Sequence, residues 1–154
     1  MDRERKSTPP ACEFNPARLI FRLDELVDSR IEAISPLVDM LMRIIHESDC
    51  APGQDFAVET ALREALANAV VHGNRQDPRK KVRICCACEA DRGILIIVKD
   101  AGEGFDPAAI PSPLVGENIH SEHGRGIFLL NLLMDEVRFE RGGRDVHMRK
   151  RGGR

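Results

Sequence analysis

The 154-residue chain has no apolar run approaching the roughly 20 residues that a membrane-spanning helix needs. Its start, from Met1 to Lys6, is charged and leads into Ser7-Thr8-Pro9-Pro10 rather than an apolar stretch, so no export signal is expected. A dominant charge is also missing. The 23 Lys plus Arg are set against 25 Asp plus Glu, a formal charge of -2, which removes the basic field that a general nucleic-acid or anionic-membrane binder requires. The basic end Arg149-Lys150-Arg151 is local. Paired cysteine spacing is scarce as well: Cys12, Cys50, Cys85, Cys86 and Cys88 are odd in number, and three of them sit in one strand-like run. Cys85 and Cys88 have C-x-x-C spacing but no second pair follows, and strand alternation would send them to opposite faces. The cysteines are therefore expected to be free and to act as small buried apolar residues, which fits a cytoplasmic address. No internal repeat is present.

What is there suffices for one domain. With 42% hydrophobic residues, a chain of this length buries roughly 70% of the surface its unfolded form exposes, and needs no disulfide or metal staple. Residues 1–16 are charged, Pro-containing and aperiodic, and are expected to form a flexible tail before a domain over residues 17–151. Residues 19–23 predict a short strand. Ser35-Pro36 opens a helix whose apolar stripe is Leu37, Val38, Met40, Leu41, Ile44 and Ile45, with Ile31 and Ile34 as a backward extension. A second helix is predicted over residues 55–72, closed by Gly73. Residues 81–90 and 94–99 read as an antiparallel hairpin around Asp91-Arg92-Gly93. Residues 101–123 hold three glycines and three prolines without a period, and a loop of that length is commonly functional. A helix from Gly124 to Leu133 and strands at residues 136–140 and 145–149 complete the pattern. The mixture predicts an α+β two-layer sandwich, a mixed, mostly antiparallel sheet with helices on one face.

Three clusters carry chemistry. Glu64, Asn68 and His72 are spaced by four, hence on one face of the second helix, and the small residues Ala61, Ala65, Ala67 and Ala69 would let a ligand come close. Asp100-Ala101-Gly102-Glu103-Gly104 follows the apolar run Ile94 to Val98. Its carboxylate can accept a hydrogen bond from an adenine amine while the glycines let the backbone pass near the base. Gly124-Arg125-Gly126 opens a helix, where unpaired N–H groups and the positive end of the helix dipole suit phosphate; the spacing is not that of a P-loop. His120 and His123 lie in the long loop, and His46 and His147 are expected at the surface; none is given a role.

These blocks, in this order, resemble the GHKL (Bergerat-fold) ATPases, and within them the bacterial anti-sigma-factor serine/threonine kinases. Glu64-Ala65-Leu66-Ala67-Asn68-Ala69-Val70-Val71-His72-Gly73 is similar to that subfamily's N-box, and Asp100 to Pro107, Gly124 to Leu129 and Met134-Asp135-Glu136-Val137 to its later boxes. The resemblance implies ATP and Mg2+ as cofactors, with Asn68 holding the ion and Glu64 activating the attacking hydroxyl. It also implies that Asp100 reads the adenine amine between Gly102 and Gly104, and that Gly124, Arg125 and Gly126 close over the phosphates. The implied partners are a sigma factor and an anti-sigma-factor antagonist protein, with a homodimer allowed and no direct nucleic-acid or membrane contact. A nucleotide-gated binder without phosphotransfer, or the detached ATP-binding domain of a sensor histidine kinase, are the alternatives; the absence of a phospho-acceptor His on a dimerisation helix and an end just after the last strand place the latter lower. One departure stands out. The family commonly has Gly-Thr near the last strand, the Thr supporting the adenine-binding Asp, whereas Gly143 is followed here by Arg144 and Asp145.

Overall fold

The computed structural model describes residues 16–104 and 122–152. The expected tail, apart from Pro16, and the part of the long loop from 105 to 121, His120 included, lie outside the described residues.

Five strands form one sheet in the order β1-β2-β3-β5-β4: β1 Leu19–Asp28, β2 Lys81–Glu89, β3 Gly93–Lys99, β4 Glu136–Glu140 and β5 Asp145–Lys150. Every neighbouring pair is antiparallel, so the sheet is not mixed as expected. The hairpin from β2 to β3 pairs Glu89 with Gly93 and Arg83 with Lys99, as the turn chemistry predicted. β1 runs five residues beyond its predicted end. Its later half is charged, and Asp24 pairs with Arg83 and Asp28 with Lys81 on β2, so side-chain pairing across an edge continues the strand where apolar alternation fades.

Among the described residues, three α-helices, α1 Ile34–Glu47, α2 Asp55–Ala67 and α3 Glu122–Leu133, accompany the sheet. α1 tolerates Pro36 because the missing N–H falls in the first turn, where it would have no helical partner. Val38, Leu41 and Ile45 are its buried face, whereas Met40 from the predicted stripe stays exposed. α2 buries Val58, Ala61, Leu62, Ala65 and Leu66. These side chains meet the alternate residues Ile84, Cys86, Ile94, Ile96, Val98 and Met148 of the sheet in one core. Deleting one fully buried side chain such as Leu62 to Ala would cost about 2–5 kcal/mol.

Three expectations are corrected. Cys50 and Cys88 are not free thiols but form a disulfide, while Cys85 and Cys86 are buried and take no part in it. Cys88 points to the helix side of β2, and Cys50 follows α1 directly above it; the Cα atoms are 5.9 Å apart, within bridging range. A pairing 38 residues apart leaves no local mark in the sequence, and with it the cysteines no longer argue for a reducing compartment. His147 is not at the surface: it lies on the sheet face away from the core, opposite Ile97 and Arg138, 2% exposed. Finally, α3 begins two residues before Gly124. Among the described residues, no helix is long and apolar enough to cross a membrane.

Candidate functional site

The predicted helix over residues 55–72 changes character at its functional end. α2 stops at Ala67, and Asn68–Gly73 forms a π-helical turn. The Asn74 N–H reaches back five residues to the Ala69 carbonyl at 2.8 Å, which widens the backbone. Such turns gather at functional sites because the extra residue re-aims side chains that a regular helix would stack. A single turn of six residues is too short to show a changed apolar period, so the sequence pattern does not distinguish it from an α-helix.

This turn, the end of β3 and the β4–β5 turn enclose a cavity of about 450 Å³. Val71, Val98, Phe139 and Val146 contribute apolar wall, and Asn68, His72, Asp100 and Arg144 contribute polar groups. A cleft that sets an apolar wall beside convergent polar groups suits a flat base with a charged tail. Of the predicted residues, Asn68, Asp100 and Gly104 line it; Glu64, Gly102, Arg125 and Gly126 are not part of its wall. Ala65 and Ala69 line it too, whereas Ala61 is spent on the core.

Asp100 is fixed by its neighbours. Its N–H donates to the Arg144 carbonyl at 3.0 Å, and its Oδ1 accepts the Gly102 N–H at 2.8 Å. Its carboxyl presses so close to Gly73 that a Cβ there would overlap it, which is why a glycine closes the π turn. Burial holds the Asp100 carboxyl above its ordinary value, against the Gly102 N–H and Arg141, which favour the charged form.

Asn74 was not anticipated. It is 1% exposed; its Oδ1 accepts the Ala101 N–H at 2.7 Å, and its Nδ2 donates to Ser29 Oγ at 2.7 Å and to the Lys81 carbonyl at 3.0 Å. One amide thus ties β1's end, β2's start and the Asp100 loop together. Its place just after His72-Gly73 was the available signal, but an Asn beyond a glycine reads equally well as an ordinary helix terminator.

At the other end, α3 brings Gly126 against α2. A Cβ on Gly126 would lie 2.9 Å from Glu64 Oε2 and 3.3 Å from Asn68 Nδ2, so a larger residue there would have to push these two side chains aside. Glu64 and Asn68, both half-buried, therefore meet beneath the start of α3. Gly124 is the third residue of α3, in the first turn where N–H groups have no helical acceptor, and Arg125 follows it and is exposed. The arrangement can seat a ligand with a base at Asp100 and an anion at α3. An amide oxygen such as Asn68 Oδ1 fits Mg2+, which takes most of its oxygens from phosphates and water and few from protein.

A family model for the histidine kinase-like ATPase domain matches residues 27–150. A serine-protein kinase RsbW of Staphylococcus epidermidis is 39% identical over 84 residues, 50% of this chain and 52% of the relative. The serine-protein kinase RsbW of Bacillus subtilis (strain 168) is 35% identical over 91 residues, 54% of this chain and 55% of the relative. An anti-sigma F factor of Clostridium novyi (strain NT) is 33% identical over 102 residues, 61% of this chain and 68% of the relative. The chain thus spans about half the length of the first two relatives.

Proposed function

The chain belongs to the histidine kinase-like ATPase domain family, and on that basis we propose that residues 17–151 bind ATP with Mg2+ and act as an anti-sigma factor of the serine/threonine kinase type. In this reading the protein holds a sigma factor and phosphorylates a serine of an antagonist protein. The observation that carries it is the single cavity shared by Asn68 and Asp100, with Glu64 and Gly126 meeting at its phosphate end. The names of the relatives, serine-protein kinase and anti-sigma F factor, point the same way.

Each residue then has a physical task. Asp100 accepts a hydrogen bond from the adenine amine, and Val98, Phe139 and Val146 exclude water from the ring. Asn68 supplies an oxygen to Mg2+, which would screen charge on the phosphates. Gly124 offers its backbone N–H and Arg125 its guanidinium to the phosphates, while Gly126 leaves room for them beside Glu64 and Asn68. Glu64 accepts the proton of the serine hydroxyl as that oxygen takes the terminal phosphoryl group and ADP departs, a task in which positioning and charge supply most of the rate.

The test mixes the purified protein with labelled ATP, Mg2+ and candidate antagonist proteins encoded beside it. Label on an antagonist serine is the expected result. ATP binding and partner capture without transfer would give a nucleotide-gated binder instead, and no ATP binding would overturn the reading.

A further inference from the structure

The turn between β4 and β5 reaches the Asp100 loop with two arginines that behave differently. Arg141 is engaged mainly with Asp145, at 2.7 to 3.0 Å, and makes one longer contact, 3.3 Å, to the Asp100 carbonyl. Arg144 is engaged with the loop itself. Its Nε donates to the Gly102 carbonyl at 2.7 Å and its Nη1 to the Arg141 carbonyl at 3.4 Å. Its own carbonyl accepts the Asp100 N–H, and its Cγ lies 3.4 Å from where a Cβ of Gly104 would stand. Arg144 therefore holds the loop with its side chain at Gly102 and with its backbone carbonyl at Asp100, and it also lines the cavity.

We propose that Arg144 is a positioning and specificity-determining residue for the nucleobase, its planar fork holding the 100–104 loop so that the Asp100 carboxylate faces the base. The inference rests on the ATP reading above and adds a residue to it. Without the side chain, the Gly102 carbonyl loses its charged donor, and the loop that presents Asp100 gains freedom that binding must remove. Lysine does not replace it: an ammonium is a point charge on a flexible stem and cannot set two nitrogens of one plane against two carbonyls. The phosphate end is built from α2 and α3 and shares none of these contacts. A role as plain counter-charge to phosphate makes the opposite forecast for both the lysine variant and a base-free ligand.

Calorimetry on the parent, Arg144→Ala and Arg144→Lys, with ATP, GTP and Mg-tripolyphosphate, decides between them, alongside the thermal midpoint of each protein. The expected result is ATP binding about tenfold weaker in both variants, the size of one lost charged hydrogen bond. The preference for ATP over GTP should narrow by a similar factor, while tripolyphosphate affinity holds and the thermal midpoint falls modestly, because the bond to Gly102 is already made in the free protein. Parental ATP affinity in Arg144→Ala, full rescue by lysine, or tripolyphosphate weakening in step with ATP would each overturn the proposal. A parent that binds no ATP would bring down the underlying reading and the inference together, whereas a parent that binds ATP beside an indifferent alanine variant brings down only the role of Arg144.

Discussion

At the base end of the cavity the backbone from Asp100 to Gly102 is tied at successive positions, by Arg144, Asn74 and the Asp100 carboxylate itself. At the end proposed for phosphate, Gly126 of α3 faces the Glu64 and Asn68 side chains at close range, and its missing Cβ leaves them room. The two ends answer different physical demands. A base must be read by a carboxylate whose direction is fixed, which calls for a loop ordered before the ligand arrives. Phosphate and an ion bring their own strong charges, and polar side chains held at the right depth can turn toward them on binding.

The largest expected effect separates these demands. Glu64→Gln should keep Mg-ATP affinity while transfer to the antagonist serine at saturating ATP falls about 10²–10⁴-fold, the span of a general-base contribution. Unchanged transfer would remove Glu64 from the chemistry. Next in size, Asn68→Ala should weaken Mg-ATP by about 10–100-fold yet leave metal-free nucleotide nearly untouched, because only the ion needs the amide oxygen. Equal losses with and without Mg2+ would break the division between the two ends.

Asp100→Asn should act from the opposite end, costing about 1–3 kcal/mol of ATP affinity by setting a donor against the adenine amine, while tripolyphosphate binds as before. Calorimetry with both ligands reads this directly, and a parallel loss of tripolyphosphate would show that the ends are not independent. Asn74→Ala tests the scaffold of the base end. Leaving the Ala101 N–H without its partner and Ser29 without its amide should lower unfolding stability by about 1–3 kcal/mol in a denaturant titration. A variant as stable as the parent would mean that water replaces the amide.

The sequence pattern revealed the two ends unequally. Four-residue spacing placed Glu64 and Asn68 together, because i and i+4 neighbours meet on any helix, and strand alternation with a turn at Asp91-Arg92-Gly93 delivered Asp100 to the end of β3. The π turn escaped because one turn of six residues is too short to show a period of its own. Asn74 escaped because its partners lie on Ser29, Lys81 and Ala101, distant in sequence. Arg144 was visible as a departure from the family pattern, but its contact with Gly102 spans 42 residues. The Cys50–Cys88 bridge was hidden for the same reason. Local periodicity carries elements and their faces; long-range polar pairings appear only when the sheet has set its register.

The smallest effect concerns pH and acts at the base end alone. Burial raises the Asp100 carboxyl above its ordinary value of 3.8, so on acidification it takes up a proton earlier than a solvated Asp would. Only the ionised form is purely an acceptor for the adenine amine, and ATP affinity should therefore decline as pH falls through that raised value, by at most tenfold per unit for one proton. Stability runs the other way. Between 3.8 and the raised value the native state keeps a proton that the unfolded chain has released, so stability decreases as pH rises through this window and is level above it. ATP titrations and thermal midpoints between about pH 4 and 8 on the parent and Asp100→Asn would show both trends. The nucleotide's phosphates also titrate in this range, and the difference in slope between the two proteins isolates the carboxyl. Equal slopes would detach Asp100 from the base and leave its burial as a cost of the turn it closes.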